Sequence, residues 1–240
     1  MPLPSSRIAS FTLPSIDPPG EKRKLQPPYN QPPFKRGTVT NELMARVSTM
    51  NPLPSLHRSL IPDLGAKWKP PILYYGWSLG DRFQSLLVYA EAHKLTRYFV
   101  DGRLRKPVAP NGDKLYDSDS EDSDSDIGST YEDDEDEGPA EVIVDEQSSA
   151  QNALRAMAEE AGITFPRIPY RRRPFELHCA LHEPHHFVIV FYSNYELDRA
   201  ADLSAQDIER MRSRLDIKEE AAWYVSAVQS SWSRVAPSWY

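Results

Sequence analysis

The spacing of apolar residues predicts helices and short strands that begin near Trp68. Residues 72–75 are an apolar, aromatic run, which is typical of a buried strand. An amphipathic helix is predicted over about residues 79–96, because five apolar residues recur there at helical spacing: Leu79, Phe83, Leu86, Leu87 and Ala90. The sequence therefore predicts a strand followed by a helix at the start of the domain.

Two strand patterns follow later in the chain. Residues 142–144 are a short apolar island that predicts a small edge strand. Residues 174–193 predict a β-hairpin with its turn at Glu183 and Pro184, because the apolar residues before the turn alternate with polar or small ones and a continuous apolar run follows it.

Three further helices are predicted in the second half. Ser148 or Ser149 is expected to cap the first of them. Ser204 and Asp207 have the spacing of a capping box, which predicts a second helix directly after them. Residues 218–228 are interpreted as a third, since charged residues and alanines precede a short apolar stretch.

These elements do not alternate strictly as strand, helix, strand, so the predicted class is α+β rather than a doubly wound sheet. We expect one small domain of helices packed on a few-stranded antiparallel sheet that includes the hairpin. The domain spans 68–110 and 140–230. A proline-rich disordered arm (1–67), a disordered acidic insert (111–139) and a tail (231–240) complete the chain.

Proline and acidic residues set these boundaries. Residues 1–71 hold fourteen of the 22 prolines, which predicts an extended arm. Residues 117–137 hold twelve carboxylates and no Lys or Arg, so this run repels itself and has little to bury. The remaining chain has 28 basic and 23 acidic residues, a net charge of +5 against −7 for the whole. That asymmetry favours a self-contacting segment or a polyanion-binding surface.

The acidic run also contains candidate phosphorylation sites. Four hydroxyl residues have an acid three residues later, the spacing that acid-directed kinases prefer: Ser118, Ser123, Ser129 and Thr130. Each phosphate would add about −1.5 to −2 charges. One hypothesis is that the run folds back on the basic loop at residues 167–173 and that phosphorylation strengthens this contact. The alternative is a solubilising segment with incidental serines.

The basic loop is the candidate nucleic-acid site. Arg167, Arg171, Arg172 and Arg173 surround Tyr170, and guanidinium groups with an aromatic ring suit phosphates and base stacking. The alternative is a solvated loop, since four arginines are a small footprint for a polyanion.

A histidine-rich stretch is the candidate metal site. Cys179, His182 and one of His185 or His186 are close enough in sequence to ligate zinc around the hairpin turn. HEPHH also matches the HExxH motif, but Pro184 disfavours the helix on which that motif depends. The competing interpretation is that the histidines decorate a turn and Cys179 is a small core residue.

Other features exclude several classes. There is one cysteine, so no intrachain disulfide forms, and no apolar run approaches the ~18 residues that span a membrane. The start of the sequence does not resemble a signal or transit peptide, so we expect the cytoplasm or nucleus and no membrane partner. Phosphate-loop, dinucleotide and serine-hydrolase motifs are absent, and we expect no cofactor.

Two segments carry a resemblance. ILYYGWSLGDRFQSLLVYAEAHKL and ERMRSRLDIKEEAAWYV are similar to uncharacterised predicted proteins of mushroom-forming fungi. That resemblance implies a domain without an assigned activity.

We therefore expect a non-enzymatic interaction protein with a protein partner and a phosphorylatable acidic insert. One alternative is a nucleic-acid-binding protein that uses the basic loop and is inhibited by the insert. The other is a zinc-dependent hydrolase at HEPHH.

Overall fold

The computed structural model describes residues 16, 27, 29–30, 40–62, 70–100, 103–105, 142–163, 175–183, 186–197 and 203–228. Their helices and antiparallel sheets confirm the predicted α+β class. The sequence predicts one domain, whereas the chain divides into two compact units. The first unit is Met1–Ser85 with Leu154–Tyr240, and the second is Leu86–Ala153.

The described elements are four helices, seven strands and one 3-10 turn (Arg58–Leu60). In chain order the helices and strands are α1 (Asn41–Ser48), β1 (Leu73–Ser78), α2 (Arg82–Ala92), β2 (Arg97–Val100), β3 (Arg103–Arg105), β4 (Val142–Asp145), α3 (Glu146–Glu160), β5 (Glu176–Cys179), β6 (Phe187–Ser193), α4 (Ala205–Arg214) and β7 (Ala222–Val225).

A four-stranded antiparallel sheet in the order β5-β6-β1-β7 forms the centre of the first unit. All six residues of β1 are buried, which follows from its central position between β6 and β7. β5 and β6 pair from Glu176 with Val190 to Cys179 with Phe187, so the predicted hairpin is confirmed.

Gly76 permits the close approach of β1 and β6. The register shifts between Tyr75 and Gly76, where β6 has one extra residue, as in a β-bulge. A Cβ atom at position 76 would lie 1.9 Å from the carbonyl oxygen of Ile189, far inside van der Waals contact. Because the colliding atom belongs to the main chain, no side-chain rotation relieves the clash.

Aromatic rings fill one side of this sheet. The ring of Tyr75 lies 5.3 Å from that of Tyr192 and 5.1 Å from that of Trp223, measured between centroids. Trp77 meets Phe191 edge to face at 4.6 Å. Such offset and edge-to-face pairs stabilise a core by about 0.5–1.5 kcal/mol each beyond their burial. The strands are therefore held by side-chain packing as well as by their ladders.

The helix predicted over 218–228 is wrong, because β7 occupies this position. β7 pairs with β1 from Leu73 with Val225 to Gly76 with Ala222. Trp223 and Val225 are fully buried there. Pairing with a central strand outweighs the helix propensity of the preceding charged residues and alanines.

The fold includes residues that precede the predicted start of the domain near residue 68. Residues 40–62, assigned from the sequence to the disordered arm, form α1 and the 3-10 turn. The side chain of Thr40 caps α1 by accepting a hydrogen bond from the N–H of Leu43 at 3.2 Å. Four apolar residues of this segment are buried, which explains why it is part of the fold despite its prolines: Leu43, Val47, Leu56 and Leu60.

The second unit contains a three-stranded antiparallel sheet in the order β3-β2-β4. β2 pairs with β4 from Arg97 with Asp145 to Val100 with Val142, and with β3 on its other side. β4 is thus the predicted edge strand at residues 142–144, one residue longer. The acidic run lies in the chain that joins β3 to β4.

The structure confirms one of the two predicted helix caps and corrects the other. Ser204 caps α4 as predicted, since its Oγ accepts the N–H of Asp207 at 3.0 Å. α3 begins earlier than a cap at Ser148 or Ser149 would allow. The carboxylate of Asp145 accepts the N–H of Ser148 at 3.0 Å instead, so the last residue of β4 caps the helix.

Gly76→Ala is expected to destabilise the protein by roughly 3 kcal/mol or more, because the new methyl group collides with main-chain atoms of β6. Gly80→Ala is the matched control: Gly80 has a positive φ of 48° but open space around its Cβ position, so its cost is about 1 kcal/mol. Urea unfolding of the full-length variants measures both. Equal losses would contradict the close approach.

Tyr192→Phe is expected to stabilise the protein by about 1 kcal/mol. Its hydroxyl is buried and has no hydrogen-bond partner among the described residues, so the change removes an uncompensated desolvation cost. Tyr224→Phe should destabilise by a similar amount, because the Tyr224 hydroxyl bonds the main chain of Ser78. Thermal unfolding at neutral pH compares the two, and effects of the same sign would contradict this assignment.

Tyr192 and Tyr224 also determine how the stability of the protein changes at alkaline pH. Burial raises the pKa of Tyr224 from 10.0 to about 12, and burial also raises the pKa of Tyr192. Both folded groups stay neutral at a pH where the unfolded chain ionises. Stability is therefore complete below pH 10 and is lost as the pH rises toward 12, by about 1.4 kcal/mol per pH unit for each such tyrosine. Tyr192→Phe should make that loss less steep.

Candidate functional site

Exposed apolar side chains concentrate on the second unit. Among the described residues, five of the six large exposed hydrophobic side chains belong to it, and β4 contributes three in succession. Val142 is 59% exposed, Ile143 53% and Val144 42%. Isolated exposed apolar residues are ordinary, but three consecutive ones on a strand show that both faces of β4 meet solvent.

β2 extends this apolar surface. Tyr98 stands directly opposite Val144 in the register and is 40% exposed. Directly opposite residues of an antiparallel pair share a face, so the ring of Tyr98 lies on the same side of the sheet as Val144. Arg105 of β3 occupies the register position on the other side of Tyr98. The sequence indicated the edge strand but not this exposed tyrosine beside it.

Main-chain groups complete the site. β4 is the outer strand of its sheet, and no described strand pairs with its far side. In an antiparallel ladder, every second residue of an outer strand directs its N–H and C=O away from the sheet. We name the outer main-chain side of Val142–Asp145, together with its exposed side chains, the β4 edge.

Hydrogen bonds fix the end of β4 to the neighbouring elements of the second unit. The Ser149 hydroxyl donates to the carbonyl of Asp145 at 2.6 Å and accepts the N–H of Arg97 at 2.8 Å. The side-chain amide of Asn152 donates to the carbonyl of Leu95 at 3.1 Å. One buried serine thus connects β2, β4 and α3, so the β4 edge has a defined position at the start of a helix.

The outer edge of β7, in the first unit, is covered by other segments of the chain. Leu53 exchanges main-chain hydrogen bonds with Trp223, at 3.0 and 2.8 Å. Beyond it, the N–H of Leu181 donates to the carbonyl of Val225 at 2.8 Å, and the N–H of Ala227 donates to that of Cys179 at 3.0 Å. Proteins commonly cover edges in this way, because an open strand recruits other chains. The described residues give β4 no such cover.

His182, a predicted metal ligand, is instead a structural group. It is fully buried, its Nδ1 lies 2.9 Å from the carbonyl oxygen of Met50, and its Nε2 accepts the N–H of Val225 at 3.0 Å. Only the neutral ring with its proton on Nδ1 makes both bonds. Both nitrogens are therefore occupied by the main chain, which corrects the assignment of His182 to a zinc site.

The other predicted ligands do not assemble around it. No group of three potential ligand residues that could hold a metal occurs among the described residues, although His185 lies outside them. His186 is exposed directly before β6. Residues 181–183 form a bend rather than the helix that HExxH requires. Burial raises the pKa of the Cys179 thiol, which disfavours the thiolate that binds metal.

The remaining predicted sites fall outside the described residues. These are the basic loop (Arg167, Tyr170, Arg171, Arg172 and Arg173) and the phosphorylation sites (Ser118, Ser123, Ser129 and Thr130). They stay predictions.

An open groove of about 700 Å³ runs along α4 and the end of α3. Arg214 pairs with Glu160 across it, and Arg210 pairs with Asp207 of the same helix. These ion pairs neutralise both arginines that line the groove.

Comparisons of the chain with family models, curated proteins and solved structures find no match. Within the described residues, none of the helices has the length and apolar character needed to cross a membrane.

His182→Ala is expected to destabilise the protein by roughly 3 kcal/mol, because the change leaves the Met50 carbonyl and the Val225 N–H buried without their partner. His186→Ala is the control, and its exposed side chain should cost less than about 0.5 kcal/mol. Urea unfolding measures both costs. Zinc titrations of the unsubstituted protein and of His182→Ala should give the same result, because His182 is not a ligand. Equal unfolding costs would contradict the structural role of His182, and zinc binding that is lost in His182→Ala would restore its assignment as a metal ligand.

Proposed function

We propose that this chain is a non-enzymatic interaction protein that binds an extended segment of a partner protein along the β4 edge. The observation that carries the proposal is the succession of exposed Val142, Ile143 and Val144 on an outer strand. Strand addition takes its affinity from main-chain hydrogen bonds and its selectivity from alternate side chains. The β4 edge supplies both components.

The position of β4 supports this mode of binding. A strand held at one end by Asp145 and Ser149 presents its main chain without first having to be ordered. Preorganisation of this kind lowers the entropic cost of association. Tyr98, on the same face as Val144, adds an aromatic ring of the type that is enriched at interfaces.

The length of β4 sets the expected strength. Four residues of strand are about 13 Å long, so a bound segment pairs with few residues. Such a contact buries less surface than a standard stable interface, which is typical of transient complexes. We therefore expect weak, micromolar binding that is reversible and suited to regulation.

The two alternatives have less support. The zinc hydrolase loses His182 as a ligand and the helix that its motif requires. The nucleic-acid site at residues 167–173 rests on sequence alone. No contact among the described residues favours either of them over the β4 edge.

Val142→Lys is expected to weaken peptide binding at least tenfold, because a charge replaces an apolar side chain at the contact. The probes are peptides selected against the full-length protein from a random library, and fluorescence anisotropy measures their affinity. The position is exposed, so the change should leave the unfolding free energy within about 0.5 kcal/mol.

Val88→Lys is the matched control. Val88 has the same 59% exposure and belongs to the same unit, but it lies on α2. It should leave peptide affinity unchanged. The proposal is wrong if no selected peptide depends on Val142, or if both lysine variants weaken binding equally.

A further inference from the structure

One hydrogen-bonded bridge shows which main-chain groups β4 directs outward. Opposite residues of an antiparallel pair alternate between positions whose N–H and C=O groups face each other and positions whose groups face away. Arg97 and Asp145 are opposite each other in the register. The Ser149 hydroxyl joins the N–H of Arg97 to the carbonyl of Asp145, at 2.8 and 2.6 Å. The main-chain groups of these two residues therefore face each other.

The alternation then assigns the rest of β4. Ile143 is two residues before Asp145, so its main-chain groups also face β2, whereas Val142 and Val144 direct theirs to the outer side. The side chains of the two valines share the face of Tyr98, and that of Ile143 points to the other face. The β4 edge is thus symmetric about Ile143, with an exposed valine on each side of it.

We infer that the segment bound along the β4 edge is β4 of a second copy of this chain, an inference that rests on the proposed function. In antiparallel pairing about a two-fold axis at Ile143, Val142 of each copy stands opposite Val144 of the other. Both members of each such pair direct their main-chain groups outward, so each pair exchanges two hydrogen bonds. A two-fold contact requires this self-complementarity, because the same surface serves both copies.

Side-chain matching selects this register among the described residues. Val142 packs against Val144 of the other copy on the face of Tyr98, and the two Ile143 side chains meet on the opposite face. β-branched side chains suit such a pleated surface. A two-fold axis at Val144 would instead place Ile143 opposite Asp145, a carboxylate. An axis between two residues would oppose outward main-chain groups to inward ones.

The course of α3 leaves the outer side of β4 accessible. Ser149 contacts Arg97, and the side-chain amide of Asn152 donates to the carbonyl of Leu95 at 3.1 Å. These bonds tie α3 to the chain at the start of β2, on the inner side of β4. Pairing of two copies would join their three-stranded sheets into one of six strands, a common size for a sheet.

The size of the contact predicts a weak dimer. Each copy contributes a strand of four residues, which buries much less than the ~800 Å² per partner of a standard interface. We expect a dissociation constant on the order of 100 µM, so that chains at low micromolar concentration are monomers with an open edge. The chain has a net charge of −7, so two copies repel each other and added salt should strengthen the dimer.

Sedimentation equilibrium of the full-length protein between about 10 µM and about 1 mM tests for the dimer. The unsubstituted protein should be mostly monomeric at the lower concentration and mostly dimeric at the higher one, and about 500 mM salt should increase the dimer fraction. Val142→Lys and Val144→Glu, each alone, should weaken the dimer at least tenfold, because each places a charge against an apolar side chain. Val88→Lys, at an equally exposed position on α2, is the control and should leave the dimer unchanged.

A mixing experiment tests the register. Val142→Lys mixed with Val144→Glu should form a mixed dimer, because the introduced lysine of one copy lies directly opposite the introduced glutamate of the other. Val142→Lys mixed with Val142→Glu is the matched control, since its two new charges lie diagonally across the pair rather than opposite each other. The first mixture should restore more dimer than the control, and equal dimer fractions in the two mixtures would overturn this register.

The outcomes separate the two proposals. If a selected peptide binds in a Val142-dependent way but no dimer forms at the highest concentration, the interaction function stands and the second copy is refuted. If a dimer forms that Val142→Lys and Val88→Lys leave equally intact, the dimer uses another surface and the inference is wrong. If neither a peptide nor a second copy binds in a Val142-dependent way, the interaction function itself fails.

Discussion

Main-chain hydrogen bonding at strand edges is the constraint on which both units depend. In the first unit, β1 is enclosed by β6 and β7, and Gly76 allows β6 to approach closely enough to pair. Leu53 and the chain after β5 then cover the outer side of β7. The second unit pairs its sheet only as far as β4, whose outer side has no described strand. The proposed recognition would thus use the same kind of bond as the fold.

Patterns within a short stretch of sequence predicted the elements whose conformation depends on neighbouring residues. The hairpin follows from alternation, and α4 follows from the capping box at Ser204. β7 could not be predicted in this way, because its strand conformation depends on pairing with β1, which is distant in sequence. Residues 40–62 were missed for the same reason: their burial depends on long-range contacts such as Leu53 with Trp223.

The candidate sites, too, were predicted only as far as nearby residues determine them. The apolar island at residues 142–144 was visible as an edge strand, but its exposure depends on which neighbours cover it. The acids on both sides of the island were an available signal that it faces solvent. His182 was misjudged because a histidine cluster in sequence does not reveal that Met50 and Val225 already occupy both nitrogens. His182, a predicted ligand, thus has a structural role, whereas the apolar residues 142–144 form the candidate site.

Amide hydrogen exchange of residues 142–145 tests the central claim most directly. Amides that point outward from an open edge exchange with solvent quickly, whereas amides in a paired ladder are protected. In the free full-length protein we predict fast exchange at alternate residues of β4, which becomes slow when a selected peptide binds. Slow exchange at every residue of β4 in the free protein would show that the edge is already covered and would contradict the account.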